Sequence, residues 1–209
     1  THRLAVAHDR PQLAWGDEPL SAFVRRIPDR GPGIAVHRAA LRTGGRSGYA
    51  SEPGRHHGVG ATEYARFTAP MREVVGVFTH KEAWELVLGL PGTDDDDGLR
   101  QRVIQAASRS HNRQRQVDKA VNRAVLDQFL ADGKARSATL LELSESKAVL
   151  RVDDPAIELN AYLRDLPGAS VEGITLTLAT GTARVGDPVE VRALDVDARA
   201  DRWRISLRP

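Results

Sequence analysis

Residues 56–73 form the segment whose side-chain types and spacing could support chemistry. The stretch, HHGVGATEYARFTAPMRE, has no apolar period, unlike a strand or helix selected only for packing. Gly58 lets the backbone approach a ligand closely, and Thr68 offers a hydroxyl. Pro70 fixes φ at a helix start, whose free N–H groups can point at an anion, and Arg72 supplies a fork of donors. The segment therefore predicts a binding loop for a phosphoryl group.

The histidines and aromatic residues near this loop allow more than one role. His56 and His57 are adjacent, and neighbouring histidines rarely face one metal ion, so we favour a hydrogen bond from His56 that holds the loop. Tyr64 can anchor a core or stack on a base, whereas Phe67 is assigned to the core. His80 can orient a neighbour by hydrogen bonding or be buried and satisfied. No metal site is predicted from these residues.

Apolar periodicity predicts the elements that position the loop. Helices are expected at residues 21–27, 71–90 and, as one long helix or two in sequence, 99–132. Residues 33–41 are expected to form a strand or short buried segment. Residues 91–98, which contain four adjacent aspartates, are expected to form a solvated loop rather than a cation site. After Lys134, five or six short alternating segments predict a small antiparallel barrel of the OB type, and hence an α+β fold.

The composition is that of an ordinary soluble globular protein, with 41% hydrophobic and 28% charged residues among 209. No run of about 18 apolar residues occurs, so no membrane span is predicted. The absence of cysteine excludes disulfides and thiolate metal sites and, with no secretory leader in sight, favours a cytoplasmic location. Because the first residue is Thr1 rather than Met, we expect a processed, trimmed or fragmentary chain.

The formal net charge of +2 hides a basic segment between residues 98 and 133. Arginines and lysines, Arg113 among them, outnumber the aspartates there. A positive segment suits a polyanion that contacts one face, and a solvated helix surface is an equally good interpretation on charge alone. A third interpretation makes the long helix a docking surface for another protein.

The binding loop resembles the catalytic-domain motif of the ribonuclease II and ribonuclease R (RNB) family. The family pattern is H-x-G-L, a short gap, and then Y-x-H-F-T-S-P-I-R-R-Y-x-D-x-x-x-H. This chain follows the pattern with His56, Gly58, Val59, Tyr64, Phe67, Thr68, Ala69, Pro70, Met71, Arg72 and His80. The family also continues with a long helix and an OB-type barrel. The resemblance thus implies that residues 1–133 are the C-terminal portion of an RNB-like catalytic domain and residues 134–209 an OB-type RNA-binding barrel.

The resemblance implies a 3′-to-5′ exoribonuclease that hydrolyses single-stranded RNA to nucleoside 5′-monophosphates with the help of Mg²⁺. Arg72 is then the catalytic residue that stabilises charge beside the scissile phosphate. Tyr162 is placed evenly between packing and stacking on a base, and Trp203 is assigned to the core. RNA binding is assigned to His56, Gly58, Tyr64, Thr68, Ala69, Pro70, His80, Arg113 and Tyr162.

Several positions depart from the family pattern. The departures are Arg66 for histidine, Ala69 for serine, Glu73 for arginine, Val74 for tyrosine and Gly76 for aspartate. The aspartates that hold the metal ions lie upstream in the family, so the Mg²⁺ ligands are expected outside this chain. The alternative is a non-catalytic RNA-binding relative. The expected partners are single-stranded RNA and the remainder of the polypeptide upstream of Thr1, in a monomeric protein without membrane contact.

Overall fold

The structure is a computed structural model that describes residues 1–43, 48–52, 54, 61–67 and 73–209. It divides into two compact units, which we call unit 1 (residues 1–43 with 123–209) and unit 2 (residues 44–122). Among the described residues, none of the helices combines the length and apolar character that crossing a bilayer requires. The predicted domain boundary at residue 133 stays a prediction. The two compact units group the residues differently, because residues 1–43 belong to the same unit as residues 123–209.

Unit 1 contains eight β-strands in two antiparallel sheets. The five-stranded sheet has the order β3-β2-β1-β7-β8, and the three-stranded sheet has the order β4-β5-β6. The strands are β1 (Ala135–Leu143), β2 (Lys147–Val152), β3 (Ile157–Tyr162), β4 (Ser170–Glu172), β5 (Thr175–Leu178), β6 (Gly181–Arg184), β7 (Pro188–Asp197) and β8 (Arg202–Arg208). The prediction of five or six strands was too low, because β4 and β6 are only three and four residues long and carry few apolar residues.

Alternation of apolar and polar residues explains how these strands bury one face. In β7, Val189, Val191 and Ala193 are buried while the residues between them are exposed. Register shifts at Leu140/Glu142 in β1 and Ala193/Asp195 in β7 mark bulges, which bend a sheet. The edge strands β3 and β8 contact each other without pairing. The described strands of this sheet therefore contain two bulges and do not form a closed barrel.

Three helices from the start of the chain belong to unit 1. They are α1 (His2–Ala7), α2 (Leu20–Arg26) and α3 (Pro32–Thr43). The expected strand over residues 33–41 is wrong, because this stretch lies within α3, where Pro32 begins the helix and the apolar residues Ala35 and Val36 are buried. Gly33 is required there, since a Cβ at this position would lie 1.9 Å from the carbonyl oxygen of Pro28.

Ion pairs connect α3 to the five-stranded sheet. Arg38 donates from Nε to both carboxylate oxygens of Glu158, at 3.1 and 3.0 Å, and also contacts Glu142. Arg42 contacts the same Glu142 carboxylate. Burial and these two guanidiniums act on Glu142 in opposite directions, and the net result is a pKa below its ordinary value. Residues 1–43 therefore pack with residues beyond 123, which is why the units do not follow the predicted boundary.

Unit 2 contains α4 (Val74–Val87) and most of α5 (Asp94–Leu130), whose residues from Arg123 onward belong to unit 1. The predicted helices at 71–90 and 99–132 are confirmed, but their starts differ. Helix α4 begins at Val74, after the extended residue Glu73, and not at the predicted proline start, and α5 begins at Asp94 rather than at residue 99. The solvated loop expected for the four aspartates is wrong. Thr93 and Asp96 form a capping box, with Asp96 Oδ2 accepting from Thr93 N at 2.9 Å, and carboxylates at a helix N-terminus are favoured by the helix dipole.

Trp203 of β8 lies partly buried against the core of unit 1, as its assignment to the core predicts. Its indole Nε1 donates to Asp127 Oδ1 in α5 at 2.7 Å. Arg123, one turn earlier in α5, donates to the same oxygen at 2.8 Å. The two bonds lower the pKa of Asp127, Arg123 having the larger effect. The last turns of α5 are therefore fixed to the final strand.

Candidate nucleic-acid interface

Most of the predicted binding loop falls outside the described residues. This applies to the predicted catalytic residue Arg72 and to His56, Gly58, Thr68, Ala69 and Pro70. The described flanks of the loop are residues 61–67 and Glu73, the residue before α4. The described candidate interface therefore consists of these flanks together with α4 and α5.

A cavity of about 1010 Å³ lies in unit 2 and has Tyr64 in its wall. Its volume matches the upper end of the range for small-molecule sites. Its described apolar and aromatic lining includes Tyr49, Val75, Phe78, Val103 and Ile104, and its polar lining includes Thr79, Ser108, His111 and Asn112. The structure thus brings one predicted RNA-binding residue, Tyr64, into a cavity of suitable size for a nucleotide.

The formal charges along the described cavity wall nearly cancel. Three guanidiniums, those of Arg66, Arg100 and Arg115, face four carboxylates, those of Glu52, Glu63, Glu73 and Glu82. Arg100 is bound to Glu82 at 3.2 Å and to Asp97 at 2.6 Å. A phosphate gains little from such a balanced wall, whereas a neutral base or ribose can use its aromatic and amide groups.

The Glu73 carboxylate joins three parts of the cavity wall. Arg66 donates to it from Nη2 at 2.6 Å and lies 2.5 Å from it at Nε, which makes a bidentate ion pair. The Tyr49 hydroxyl donates to Glu73 Oε2 at 3.1 Å. Burial and this hydrogen bond raise the pKa of Tyr49 above its ordinary value. The residues before and after the predicted binding loop are thus held together at its base.

His80 of α4 lies against the same flank. Its Nε2 lies 2.9 Å from the carbonyl oxygen of Phe67, and the two rings are 5.2 Å apart between centroids. This hydrogen bond is the kind of contact that the first of the two predicted roles of His80 requires. Phe67, which was assigned to the core, is instead 44% exposed, so that assignment is wrong. The ring lines a shallow surface pocket with His80, Trp84 and Val87 of α4.

One acidic group in the described part of unit 2 has the spacing of a metal site but already surrounds a lysine side chain. Oxygens of Glu82, Glu85 and Asp96 lie within 4.8 Å of one another. The Lys81 ammonium lies among them, 2.6 Å from Glu85 and from Asp96 and 3.1 Å from Glu82. These contacts raise the pKa of Lys81, and the pKa of Asp96 falls to about 2. The ammonium takes the place that a cation would need.

Arg113 belongs to a basic ridge on α5, which we define as Arg102, Arg109 and Arg113. These residues are seven and four positions apart, so they share one face of the helix. All three are exposed, and within the described part of the chain none of them is paired with a carboxylate. Residues 109–122 are all exposed although they are helical. The ridge can follow a polyanion along the helix.

Tyr162, in unit 1, is half-buried and already has a stacking partner. The Arg202 guanidinium lies 4.2 Å from its ring centroid, and Arg164 lies 5.7 Å away. Asp165 holds Arg202, accepting from Nη2 at 3.2 Å, and Arg202 lowers the pKa of Asp165. The face of Tyr162 under Arg202 is therefore closed to a base.

Sequence reasoning missed the contribution of Tyr49, Arg66 and Glu73 to the cavity wall. One signal could have revealed the ion pair. Arg66 and Glu73 are both departures from the RNB pattern, and they carry opposite charges on either side of one loop. Tyr49 gave no such signal, because it lies in a glycine-rich stretch without periodicity.

The fold of the chain is similar to that of solved RNase R structures. Mycoplasma genitalium RNase R in complex with ribose methylated single-stranded RNA matches with a TM-score of 0.73 and 17% identity, over 93% of this chain and 32% of that chain. The apo form of Mycoplasma genitalium RNase R matches with a TM-score of 0.69 and 18% identity, over 89% of this chain and 31% of that chain. No protein-family model and no curated protein sequence matches. The chain therefore has an RNase R-like fold and spans about a third of the length of those chains.

Proposed function

We propose that this chain is the C-terminal portion of a 3′-to-5′ exoribonuclease that hydrolyses single-stranded RNA to nucleoside 5′-monophosphates. The observation that carries the proposal is the fold similarity to RNase R, which extends over 93% of the chain and includes a structure solved with single-stranded RNA. The residue pattern between His56 and His80 supports it independently, because it was recognised in the sequence without the fold.

The proposal assigns the catalytic role to Arg72. A guanidinium presents donors in a planar fork, which suits two oxygens of one phosphoryl group. Charge builds up on these oxygens in the transition state of phosphodiester hydrolysis, so a fixed cation there lowers the barrier. Removal of one such group typically costs about 10²–10³ in rate.

Mg²⁺ is the proposed cofactor, with ligands outside this chain. The carboxylates of Glu82, Glu85 and Asp96 do not fit the ion, because the Lys81 ammonium already lies in contact with all three. Mg²⁺ prefers oxygen ligands without a competing cation in the same position. The described residues therefore supply RNA contacts rather than metal ligands in this proposal.

Two surfaces of unit 2, the basic ridge and the cavity, contact different parts of the RNA in this proposal. The basic ridge on α5 contacts backbone phosphates, since its arginines are exposed and free of carboxylates in the described part of the chain. The cavity takes a base or ribose, since its charges nearly cancel and Tyr64 lines it. This division matches how single-stranded nucleic acid is commonly held, by cations along the backbone and aromatic rings on the bases.

In unit 1, we propose an OB-type arrangement for the five-stranded sheet. Strand β1 pairs with both β2 and β7, bulges bend β1 and β7, and the two edge strands approach each other. An OB barrel has five strongly bent strands and binds oligonucleotides on one face. With one face of Tyr162 covered by Arg202, base contacts by this residue would use the opposite face.

Exposed apolar residues on and after α4 support the second proposed partner, the remainder of the same polypeptide. Trp84, Leu86 and Val87 are 64%, 78% and 77% exposed, and Leu88 and Leu90 are more than half exposed. Large exposed apolar side chains that lie this close together in the sequence support a contact with another protein surface. The matched RNase R chains are about three times as long as this chain and so contain further segments.

The test of the proposed function is an Arg72→Ala change in the complete polypeptide that carries these residues. With Mg²⁺ and single-stranded RNA, we expect the rate of mononucleotide release to fall about 10²–10³-fold. Arg25→Ala removes the same charge from the exposed end of α2 and should leave the rate unchanged. Equal rates for the Arg72→Ala variant and the unchanged protein would refute the role of Arg72.

The alternative is a non-catalytic RNA-binding relative, which is favoured by Glu73 standing where the RNB pattern has arginine. The same assay separates the two functions. RNA binding without release of mononucleotides, in a protein that contains the upstream segment, would establish the binding-only function.

A further inference from the structure

One carboxylate holds three separate segments at the wall of the cavity. Glu73, just before α4, accepts a hydrogen bond from Arg66 Nη2 of the 61–67 segment at 2.6 Å and lies 2.5 Å from Arg66 Nε in the same ion pair. It also accepts a hydrogen bond from Tyr49 of the 48–52 segment at 3.1 Å. All three residues line the cavity. A change at Glu73 therefore removes contacts of two other parts of the wall.

The two charged members of this cluster are linked by their departures from the RNB pattern. The pattern has histidine at position 66 and arginine at position 73, whereas this chain has Arg66 and Glu73. An arginine at position 73 would place two guanidiniums where an ion pair now stands. The departures at positions 66 and 73 are therefore complementary, because either one alone would leave a charged side chain without its ion-pair partner.

We propose that Arg66 and Glu73 form a positioning pair that sets the shape of the cavity wall for RNA, an inference that rests on the proposed function. Neither side chain binds RNA in this role. An unpaired carboxylate would repel the phosphates of RNA, and the bidentate contact with Arg66 neutralises it. Tyr49 adds a neutral donor to the same carboxylate, which fixes the orientation of the carboxylate group.

The solvent exposure of Arg66 and Glu73 determines whether a broken ion pair changes RNA affinity or stability. The Arg66 and Glu73 side chains are 44% and 29% exposed, so the pair contributes little to the stability of the fold. The effect of a broken pair should therefore appear in RNA affinity rather than in the unfolding temperature. This difference separates a positioning role from a general structural one.

The experiment measures the affinity for fluorescently labelled single-stranded RNA in the complete polypeptide, with a chelator present so that no cleavage occurs. Glu73→Arg restores the residue of the RNB pattern, and we nevertheless expect it to weaken binding about tenfold because it opposes Arg66. The exchanged pair, Arg66→Glu with Glu73→Arg, should restore affinity to within about twofold. The pattern-like pair, Arg66→His with Glu73→Arg, should also bind RNA well, since a neutral histidine leaves no like-charge contact.

Asp195→Arg is the matched control. Asp195 forms a half-exposed ion pair with Arg204 in unit 1, and this change adds the same charge as Glu73→Arg. Added positive charge alone strengthens RNA binding, so the control should bind no more weakly than the unchanged protein. Glu73→Arg should do the opposite, which excludes net charge as the explanation.

The outcomes distinguish this inference from the proposed function. If the unchanged protein binds no RNA, the proposed function fails. If it binds RNA and Glu73→Arg binds equally well, the positioning pair is refuted while the proposed function stands. Weak binding by the exchanged pair would likewise refute the pair, because the two positions would then act independently. Tyr49→Phe offers a milder check that keeps all charges, and a small loss of affinity is expected.

Discussion

Unit 1 and unit 2 bury their apolar side chains to very different extents. Unit 1 has a continuous core in which Phe23, Leu140, Leu150 and Leu176 are at most 1% exposed. In the described part of unit 2, the buried apolar side chains are Val103 and Ala107. Ion pairs around Glu73 and Lys81 instead connect its segments. The cavity and the basic ridge, both proposed to bind RNA, therefore lie in the unit with the smaller core.

The contrast has an energetic meaning. A fully buried leucine or phenylalanine contributes about 1.5–3 kcal/mol through removal from water. An ion pair at the surface contributes about 0–1 kcal/mol. Unit 1 can thus hold its shape through its own packing, whereas unit 2 exposes apolar groups that gain free energy when another surface covers them. Weakly packed segments are also those in which binding sites are commonly found.

The largest expected effect is the loss of a core contact in unit 1. Leu140→Ala removes a side chain with 0% exposure, and we expect the free energy of unfolding to fall by about 2–5 kcal/mol. Leu86→Ala in α4 removes a side chain that is 78% exposed and should change the free energy of unfolding by less than about 0.5 kcal/mol. Denaturant unfolding of both variants measures the difference, and equal effects would contradict the contrast between the units.

The next effect concerns the basic ridge of unit 2. Changing Arg102, Arg109 and Arg113 together to glutamine should weaken binding of single-stranded RNA and reduce the salt slope of log affinity by about 2, since each phosphate contact contributes about 0.7. Stability should be unaffected because all three side chains are exposed. An unchanged slope over a salt titration would identify the ridge as an ordinary solvated surface. Glutamine substitutions at Arg3, Arg25 and Arg30 of unit 1 remove the same charge and serve as the control.

The smallest effect is the pH dependence of the capping box at the start of α5. The pKa of Asp96 is lowered to about 2 by Lys81 and Thr93, from an ordinary value of 3.8. Its stabilising contribution is therefore complete above pH 4 and is lost as the pH falls toward 2. We expect Asp96→Asn to unfold at a lower temperature than the unchanged protein at pH 7, and the gap to narrow with acid. A gap that stays constant down to pH 2 would contradict this assignment.

The strands of unit 1 were predictable because their signal is local. Alternating residues such as Val189 and Val191 must face one side, and the sequence after Lys134 repeats this pattern. The helix α3 was not predictable in the same way. Its apolar residues fall in one short run between Gly33 and Leu41. A short apolar run does not distinguish a buried strand from a helix. Packing against the sheet decides in favour of the helix.

The candidate site was predictable in its residue types but not in its contacts. Tyr64 was assigned to RNA binding from the sequence and lines the cavity, and the hydrogen bond of His80 was one of two roles foreseen. The ion pair between Arg66 and Glu73 depends on how the intervening loop closes, which no periodicity encodes. The prediction of a loop at the four aspartates is wrong because the cap from Thr93 and the helix dipole outweigh the repulsion between neighbouring carboxylates.

The close approach of α3 to the carbonyl group of Pro28 helps to recognise chains with the same fold. At Gly33 even a methyl group would collide with the backbone 1.9 Å away, so any chain with this helix placement is restricted to glycine at that position. With identities of 17% and 18% to the solved structures, overall sequence similarity is a weak guide. The obligatory glycine directly after the proline that begins α3 is therefore a better marker of chains with this helix placement than overall identity.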